Sequence, residues 1–168
     1  VFVNDPNLFM DFDGKATLGK KDILYDFHTK IDYADLVKLR FNKTDTISVF
    51  KGDVRMKVAG NSIDNMRGDV YITQTSYQNN KDTYFFDDFA ISSSFDDNNV
   101  RTIAINSPDI IQGQLVGKFE FGQLQKMVEN SLGSLYANYS PNKVKRGQFL
   151  KFDFTVYNKI IEIFYPGV

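Results

Sequence analysis

Apolar and polar residues alternate one for one along most of this chain, most clearly over Val49–Tyr77. Phe50, Val54, Met56 and Val58 fall on one side of a two-residue period. Lys51, Asp53, Arg55 and Lys57 fall on the other, which is the signature of a half-buried strand. Gly60 ends that strand. Asn61 and Ser62 can cap a single helical turn in which Ile63 and Met66 share a face. Gly68 ends the turn, and Val70 and Ile72 resume the alternation. The stretch therefore predicts a strand, a short turn sealed by two apolar side chains, and a strand back.

The same period recurs on both sides. Leu8, Met10 and Phe12 lead to Gly14, which predicts a first strand closed by a turn. Ile23, Tyr25, Phe27, Ile31 and Tyr33 share one face of the next strand, with Asp26, His28, Lys30 and Asp32 on the other. Ala34–Phe41 is short and helix-permissive. Asn-Asn within Tyr77–Asp82 predicts a turn. Phe85, Phe89, Ile91 and Phe95 then read as one strand, interrupted by Asp87. Asp96–Asn99 is another tight turn, and Val100–Ser107 a short strand ended by Pro108. Ile111, Leu115, Phe119 and Phe121 form one more apolar face.

Over Gln123–Tyr139 the period changes. Leu124, Met127, Val128, Leu132, Leu135 and Tyr139 recur at three and four, predicting an amphipathic helix of about four turns. Gly133 weakens that helix and Pro141 stops it. Leu150, Phe152, Phe154 and Val156 return to period two. The expectation is a mainly β fold of about nine or ten antiparallel strands. One amphipathic and one short helix accompany them, in a single β-rich segment covering 1–168. Strand units fall at about 7–77 and 83–122, the helix at about 123–139 and final strands at about 147–165. KIDYADLVKL at Lys30–Leu39 parallels KFEFGQLQKM at Lys118–Met127, each predicted as a strand running into a helix, a hint of array-like repetition. VFVNDPN reads as a chain entered in mid-strand, and KIIEIFYPGV stops after an apolar run. Both suggest a segment of something longer.

Composition narrows the function. Sixteen Phe and nine Tyr, with no Trp, give a large apolar area on strand-forming residues. The net charge is −1 and the two signs are interleaved, so the basic stripe of a nucleic-acid binder is missing. There is no Cys, which excludes disulfides and thiolate sites without naming a compartment. No apolar run is long enough for a spanning helix, and the N-terminus is not a signal peptide.

Individual chemical signals are weak. His28 is the single histidine; it has Asp26, Lys30 and Asp32 on its face but no set of partners for a metal site or a triad, so an exposed strand residue is expected. Asp96, Asp97, Asn98 and Asn99 offer oxygens without the Gly and distal Glu of a calcium loop. Asp87 and Asp88 are adjacent on a strand and point to opposite faces, a poor acid–base pair. Asn42-Lys43-Thr44 and Asn138-Tyr139-Ser140 fit the glycan acceptor pattern, which matters only in a secreted eukaryotic chain. Gly113 and Gly117 flank no helix start, so no phosphate-cradling loop is indicated. No metal, cofactor or catalytic residue is expected.

What remains is collective: nearly every strand offers one apolar face. That face is either the core of a closed sandwich or barrel, the simpler reading of the pattern, or an open apolar groove. Burying hydrocarbon is favourable by about 0.8 kcal/mol per methylene, so acyl chains could stand in for a missing half of a core.

The segment GNSIDNMRGDVYITQTSYQNNKDTYFFDDFAISSSF, followed by VRTIAINSPDIIQGQLVGKFEFGQLQKMVENSLGSLYANY, resembles the TamB/AsmA-like envelope proteins of Bacteroidota. The Gly60–Gly68 turn with its Ser62-Ile63-Asp64 step carries the resemblance, together with Ile103–Pro108 (IAINSP) and Leu115–Gln123 (LVGKFEFGQ) leading into a helix. It covers about half the chain, Asn61 to Tyr139. It implies a long protein anchored at the inner membrane through parts of the chain not present here and crossing the periplasm. Its strands would curl into a taco-like half-pipe that handles phospholipid acyl chains, with an outer-membrane barrel as a further partner. It supplies no catalytic residues, and the long helix at Gln123–Tyr139 departs from a plain strand repeat.

The expectation is thus a non-enzymatic segment for inter-membrane lipid transport or outer-membrane protein assembly. The expected groove lining is Phe50, Val54, Met56, Val58, Phe85 and Phe89, continued by Ile91, Leu115, Phe119, Phe121, Phe152 and Phe154. The rival is a closed carbohydrate-binding or adhesin-type β domain, for which Tyr77, Tyr84, Asp87 and Asn99 are the contact candidates. An outer-membrane barrel fits the alternation but not the helix or the many Lys and Asp residues.

Overall fold

The computed structural model describes residues 1–20, 22–43 and 45–157. They form β1 (Phe2–Asp5), β2 (Leu8–Leu18), β3 (Ile23–Asp35), β4 (Val49–Gly60), β5 (Arg67–Gln78) and β6 (Thr83–Phe86). Then follow β7 (Phe89–Phe95), β8 (Arg101–Ser107), β9 (Ile111–Lys118), α1 (Phe121–Gly133) and β10 (Phe149–Val156). All ten strands belong to one sheet in the order β1-β2-β3-β4-β5-β7-β8-β9-β10, with β6 paired to the end of β5. Every pairing is antiparallel. The sheet is curved and does not close, so the mainly β expectation holds. The predicted final strands beyond residue 157 lie outside the described residues.

Register puts the apolar sets together, because residues opposite one another in an antiparallel pair share a face. Phe27 faces Met56, Met56 faces Val70, and Val70 faces Ile91. Ile91 faces Ile105, while Ile103 faces Leu115 and Leu115 faces Phe152. The other face carries rows of alternating charge. Lys15 lies opposite Asp26, Asp26 opposite Lys57, and Lys57 opposite Asp69. Four residues along, Asp11 faces Lys30 and Lys30 faces Asp53. Sliding β3 by four residues along β4 would set Asp26 against Asp53 or Lys30 against Lys57, so charge and hydrophobicity specify the same register.

Several local expectations change. Gly14 does not close a strand; it sits inside β2, opposite Phe27, whose ring lies over it where a Cβ would be. An aromatic covering a cross-strand glycine lets β2 run on to Leu18. Ala34–Phe41 ends β3 and makes one turn: Leu39 N–H donates to the Asp35 carbonyl, and the Asp35 carboxylate takes the N–H groups of Val37 and Lys38. Arg40, at φ 67°, terminates it. The predicted strand through Phe85 and Phe95 is two strands, broken at Asp87 and Asp88. The helix starts two residues before its predicted position and stops at Gly133. There the Tyr139 ring folds back against Gly133 while its hydroxyl donates to Asn130. The parallel between Lys30–Leu39 and Lys118–Met127 is therefore not architectural, since one copy ends in a single turn and the other in a helix.

The apolar face has little over it. The chain exposes 11644 Å², against roughly 8,500 Å² for a compact monomer of its 19.3 kDa mass. Among the described residues the buried apolar side chains are Ala34, Val58, Phe119 and Met127. A soluble domain normally closes two layers on one core; here the second layer is α1 and a few turns. No helix among the described residues is long and apolar enough to cross a membrane.

Candidate functional site

Ten of the twelve expected lining residues lie on the apolar face of the sheet. Val58 and Phe119 are buried there, whereas Phe50, Val54, Met56, Phe89, Ile91, Leu115 and Phe154 are half-buried and Phe152 is exposed. The other two fall elsewhere. Phe85 lies opposite Ser76, which is itself opposite Lys51, so it belongs to the polar face and is 69% exposed. The bulge of β5 at Gln74 (φ 52°) turns Ser76 to the face opposite Ile72, and β6, separated from β7 by the break at Asp87, follows it. Phe121 is the first residue of α1 rather than part of a strand.

One end of the face is plugged. At this end β4 turns into β5, β7 into β8 and β9 into α1. Arg101, at the start of β8, sits in the apolar register of Ile103 and Ile105 and is 4% exposed. Its Nη1 donates to the carbonyls of Ile63 (2.8 Å) and Asp64 (3.4 Å). Nη2 donates to Met66 O (2.7 Å) and Nε to Ser93 Oγ (2.9 Å). The guanidinium also lies 4.9 Å from the ring centre of Phe121, 5.3 Å from that of Phe95 and 6.0 Å from that of Phe119, within cation–π range. Burial lowers its pKa from the ordinary arginine value, and the charge of Asp64 acts in the opposite direction. Opposite Arg101 in β9 is Gly117, where a Cβ would collide with the backbone of Phe149.

The 61–66 turn is thus fixed from beneath. Its own closure also differs from expectation: Asn65 Oδ1 accepts the N–H groups of Asn61 and Ser62, and Ile63 is 59% exposed rather than sealing the turn. Asp64 then reaches α1, accepting the Phe121 N–H at 2.7 Å. Because Glu120 makes no side-chain cap bond, this carboxylate supplies the anion that a helix N-terminus favours. Arg101 and Asp64 together tie the turn, the sheet and the helix into one unit. Position alone marks Arg101 in the sequence: it is a cation on the apolar side of an alternating strand.

Two cavities adjoin this unit. One, of about 300 Å³, is lined by Met127, Asn130, Ser131, Val144, Leu150 and Phe152 and separates α1 from β10. The other, of about 320 Å³, lies beside Arg101, Phe95, Asn99, Gly117 and Phe119, with Lys118, Glu120 and Lys145–Gln148 completing the wall. Lys145 Nζ bonds both Glu120 oxygens, at 2.6 and 2.8 Å.

The polar face offers a third cavity, of about 480 Å³, beside Asp26, His28, Arg55, Lys57, Asp69 and Tyr71. His28 Nε2 lies 2.9 Å from both Asp53 carboxylate oxygens. Its partner is this cross-strand carboxylate, not the neighbours on its own strand, and among the described residues it bonds no hydroxyl. Among the described residues no three His, Cys, Asp or Glu side chains are placed to hold a metal ion. Asp96 spends its carboxylate on the N–H groups of Asn98 and Val100. The four glycan-contact candidates do not converge. Tyr77 lies opposite Tyr84, and Asp87 lies at the same end of β7; Asn99 lies beyond the other end. The Tyr77 hydroxyl is 3.1 Å from Ser48 Oγ, in a network with Asn42 and Asp45.

Compared with known proteins, the chain matches no family model, no curated protein and no solved structure.

Proposed function

We propose that this chain is a non-enzymatic segment of a TamB/AsmA-like envelope protein whose apolar sheet face shields phospholipid acyl chains. The observation that carries this reading is the imbalance between apolar pattern and cover. Apolar side chains run in register from β2 to β10, while four are buried among the described residues. Leaving such a face against water forfeits about 25 cal/mol for each square ångström of apolar surface. An acyl chain laid across the strands recovers that energy by removing side chains and methylenes from water together. No chemical group on the face is activated, so passage or shielding of lipid is the work assigned to it. Localisation in the periplasm, anchorage elsewhere in a longer chain and a barrel partner in the outer membrane belong to the same proposal.

The test is to purify the 168-residue chain without detergent and extract it for lipid mass spectrometry. Phospholipid should co-purify at a reproducible ratio and be lost in Phe154→Asp, a half-buried position chosen so that the sheet survives. A folded, lipid-free wild-type protein would refute the proposal and favour a face closed by another partner.

A further inference from the structure

The cavity beside Arg101 concentrates positive charge in a chain whose net charge is −1. Its wall includes Arg101, Lys118, Lys145 and Arg146 against one carboxylate, Glu120. Lys145 is neutralised by Glu120. Among the described residues Lys118, Arg146 and Arg101 form no ion pair.

Arg101 is the informative member. Its guanidinium has five N–H donors, and its hydrogen bonds occupy four of them, all on uncharged oxygens. The Asp64 carboxylate, which accepts the Phe121 N–H, acts on Arg101 through its charge without a direct bond, so this desolvated cation still gains from an anion that bonds it. Desolvation lowers the pKa of this same group and outweighs the opposing charge of Asp64, so that carboxylate offsets the burial only in part. Phe95, Phe119 and Gly117 complete the wall and continue into the apolar face through Leu150, the cross-strand partner of Gly117.

We propose that this cavity binds a phosphate ester, with the anionic phosphate against Arg101, Lys118 and Arg146 and the organic portion directed along the apolar face. A phosphate fits better than a carboxylate because it brings three or more acceptor oxygens to several separate cations. The inference rests on the acyl-chain reading only for the source of the ester; a soluble organic phosphate shares the same chemistry.

Calorimetric titration of the 168-residue chain separates the cases, with dihexanoyl phosphatidic acid, dihexanoylglycerol and inorganic phosphate as probes. The phosphatidic acid should bind about tenfold or more tightly than the phosphate-free dihexanoylglycerol. The double variant K118Q/R146Q, both positions exposed, should abolish that advantage without changing dihexanoylglycerol binding. K143Q should change neither. Weak binding of inorganic phosphate alongside tight phosphatidic acid assigns the site to a lipid headgroup. Equal binding of both, lost together in the double variant, keeps the phosphate site and rejects the lipid source. An undiminished advantage in K118Q/R146Q overturns the site while leaving the apolar groove standing. Binding of phosphate without either lipid overturns the groove and leaves the site. No binding of any probe overturns both.

Discussion

β2 to β5 and β7 to β10 are two halves of one sheet built on different terms. The first four strands are 11 to 13 residues long, and their polar face is laced with alternating charge. Among the described residues no helix lies on their apolar face. The strands of the second half are 7 or 8 residues long, and their polar face is mostly Ser, Thr, Ala and Gln. Here a helix, a buried arginine and close-packed glycines supply tertiary cover. Long strands and cross-strand charge hold the first half by pairing, whereas the second half depends on Arg101 and α1. The contrast teaches that the bare half is the one free to offer its face to a ligand, and the plugged half is where a chain-long groove would meet an end.

The sharpest way to break this comparison is Arg101→Met. The change keeps bulk but leaves the Ile63 and Asp64 carbonyls without their side-chain donor, while Met66 O keeps the Ser93 hydroxyl, which costs about 3 kcal/mol or more. Urea denaturation should show that loss, and hydrogen exchange should rise first in β7–β9 and α1. An equal rise across β2–β5 would mean that the two halves share one core after all.

Two glycines sharpen it next. Gly113 has φ 150°, and a Cβ there would strike the Asp153 carbonyl and come within 2.6 Å of Phe154 Cδ1. Gly113→Ala should therefore cost about 2 kcal/mol. At Gly14 the obstacles are the Phe27 ring and the tip of the Phe12 ring, side chains that can swing away, so Gly14→Ala should cost less than about 1 kcal/mol. Matching thermal shifts for the pair would remove the distinction between a glycine demanded by backbone and one covered by a side chain.

Lys57→Glu addresses the charged rows. It places a carboxylate between Asp26 and Asp69, worth about 1 kcal/mol of destabilisation at low salt. Raising the ionic strength should shrink the loss, since these side chains face water. A loss independent of salt would assign it to strand propensity instead.

Period-two alternation made the sheet legible, because each strand buries one face and the side-chain period is fixed by the backbone. Val49–Gly60 follows the pattern, and Arg67–Gln78 follows it up to a bulge at Gln74 (φ 52°), beyond which Tyr77 takes the face of Ile72. Where tertiary contacts decide, the pattern misleads. Gly14 reads as a turn until Phe27 is seen to cover it. Asp87 reads as an interruption, and only the structure reveals that Phe85 takes the opposite face because β5 bulges at Gln74. Arg101 was visible as a cation in an apolar register, yet its meaning depends on carbonyls at 63, 64 and 66, which lie distant in sequence and become adjacent only through the register of β5, β7 and β8.

The smallest expected effect, that of Leu132→Gln, concerns the helix, where sequence and structure differ most in extent. Its apolar stripe runs in the sequence from Leu124 through Tyr139. Met127 is buried at the contact, but Leu132 is 56% exposed and Leu135 is 80% exposed. The C-terminal part of the stripe therefore runs off the sheet, and Tyr139 packs on Gly133 instead. Met127→Ala should cost about 2 kcal/mol, in the range for truncating a buried side chain. Leu132→Gln should stay within about 0.5 kcal/mol of wild type, as exposed substitutions do. If Leu132→Gln proves as damaging as Met127→Ala, α1 covers more of the apolar face in solution than its contacts show, and the plug extends toward the half that is otherwise bare.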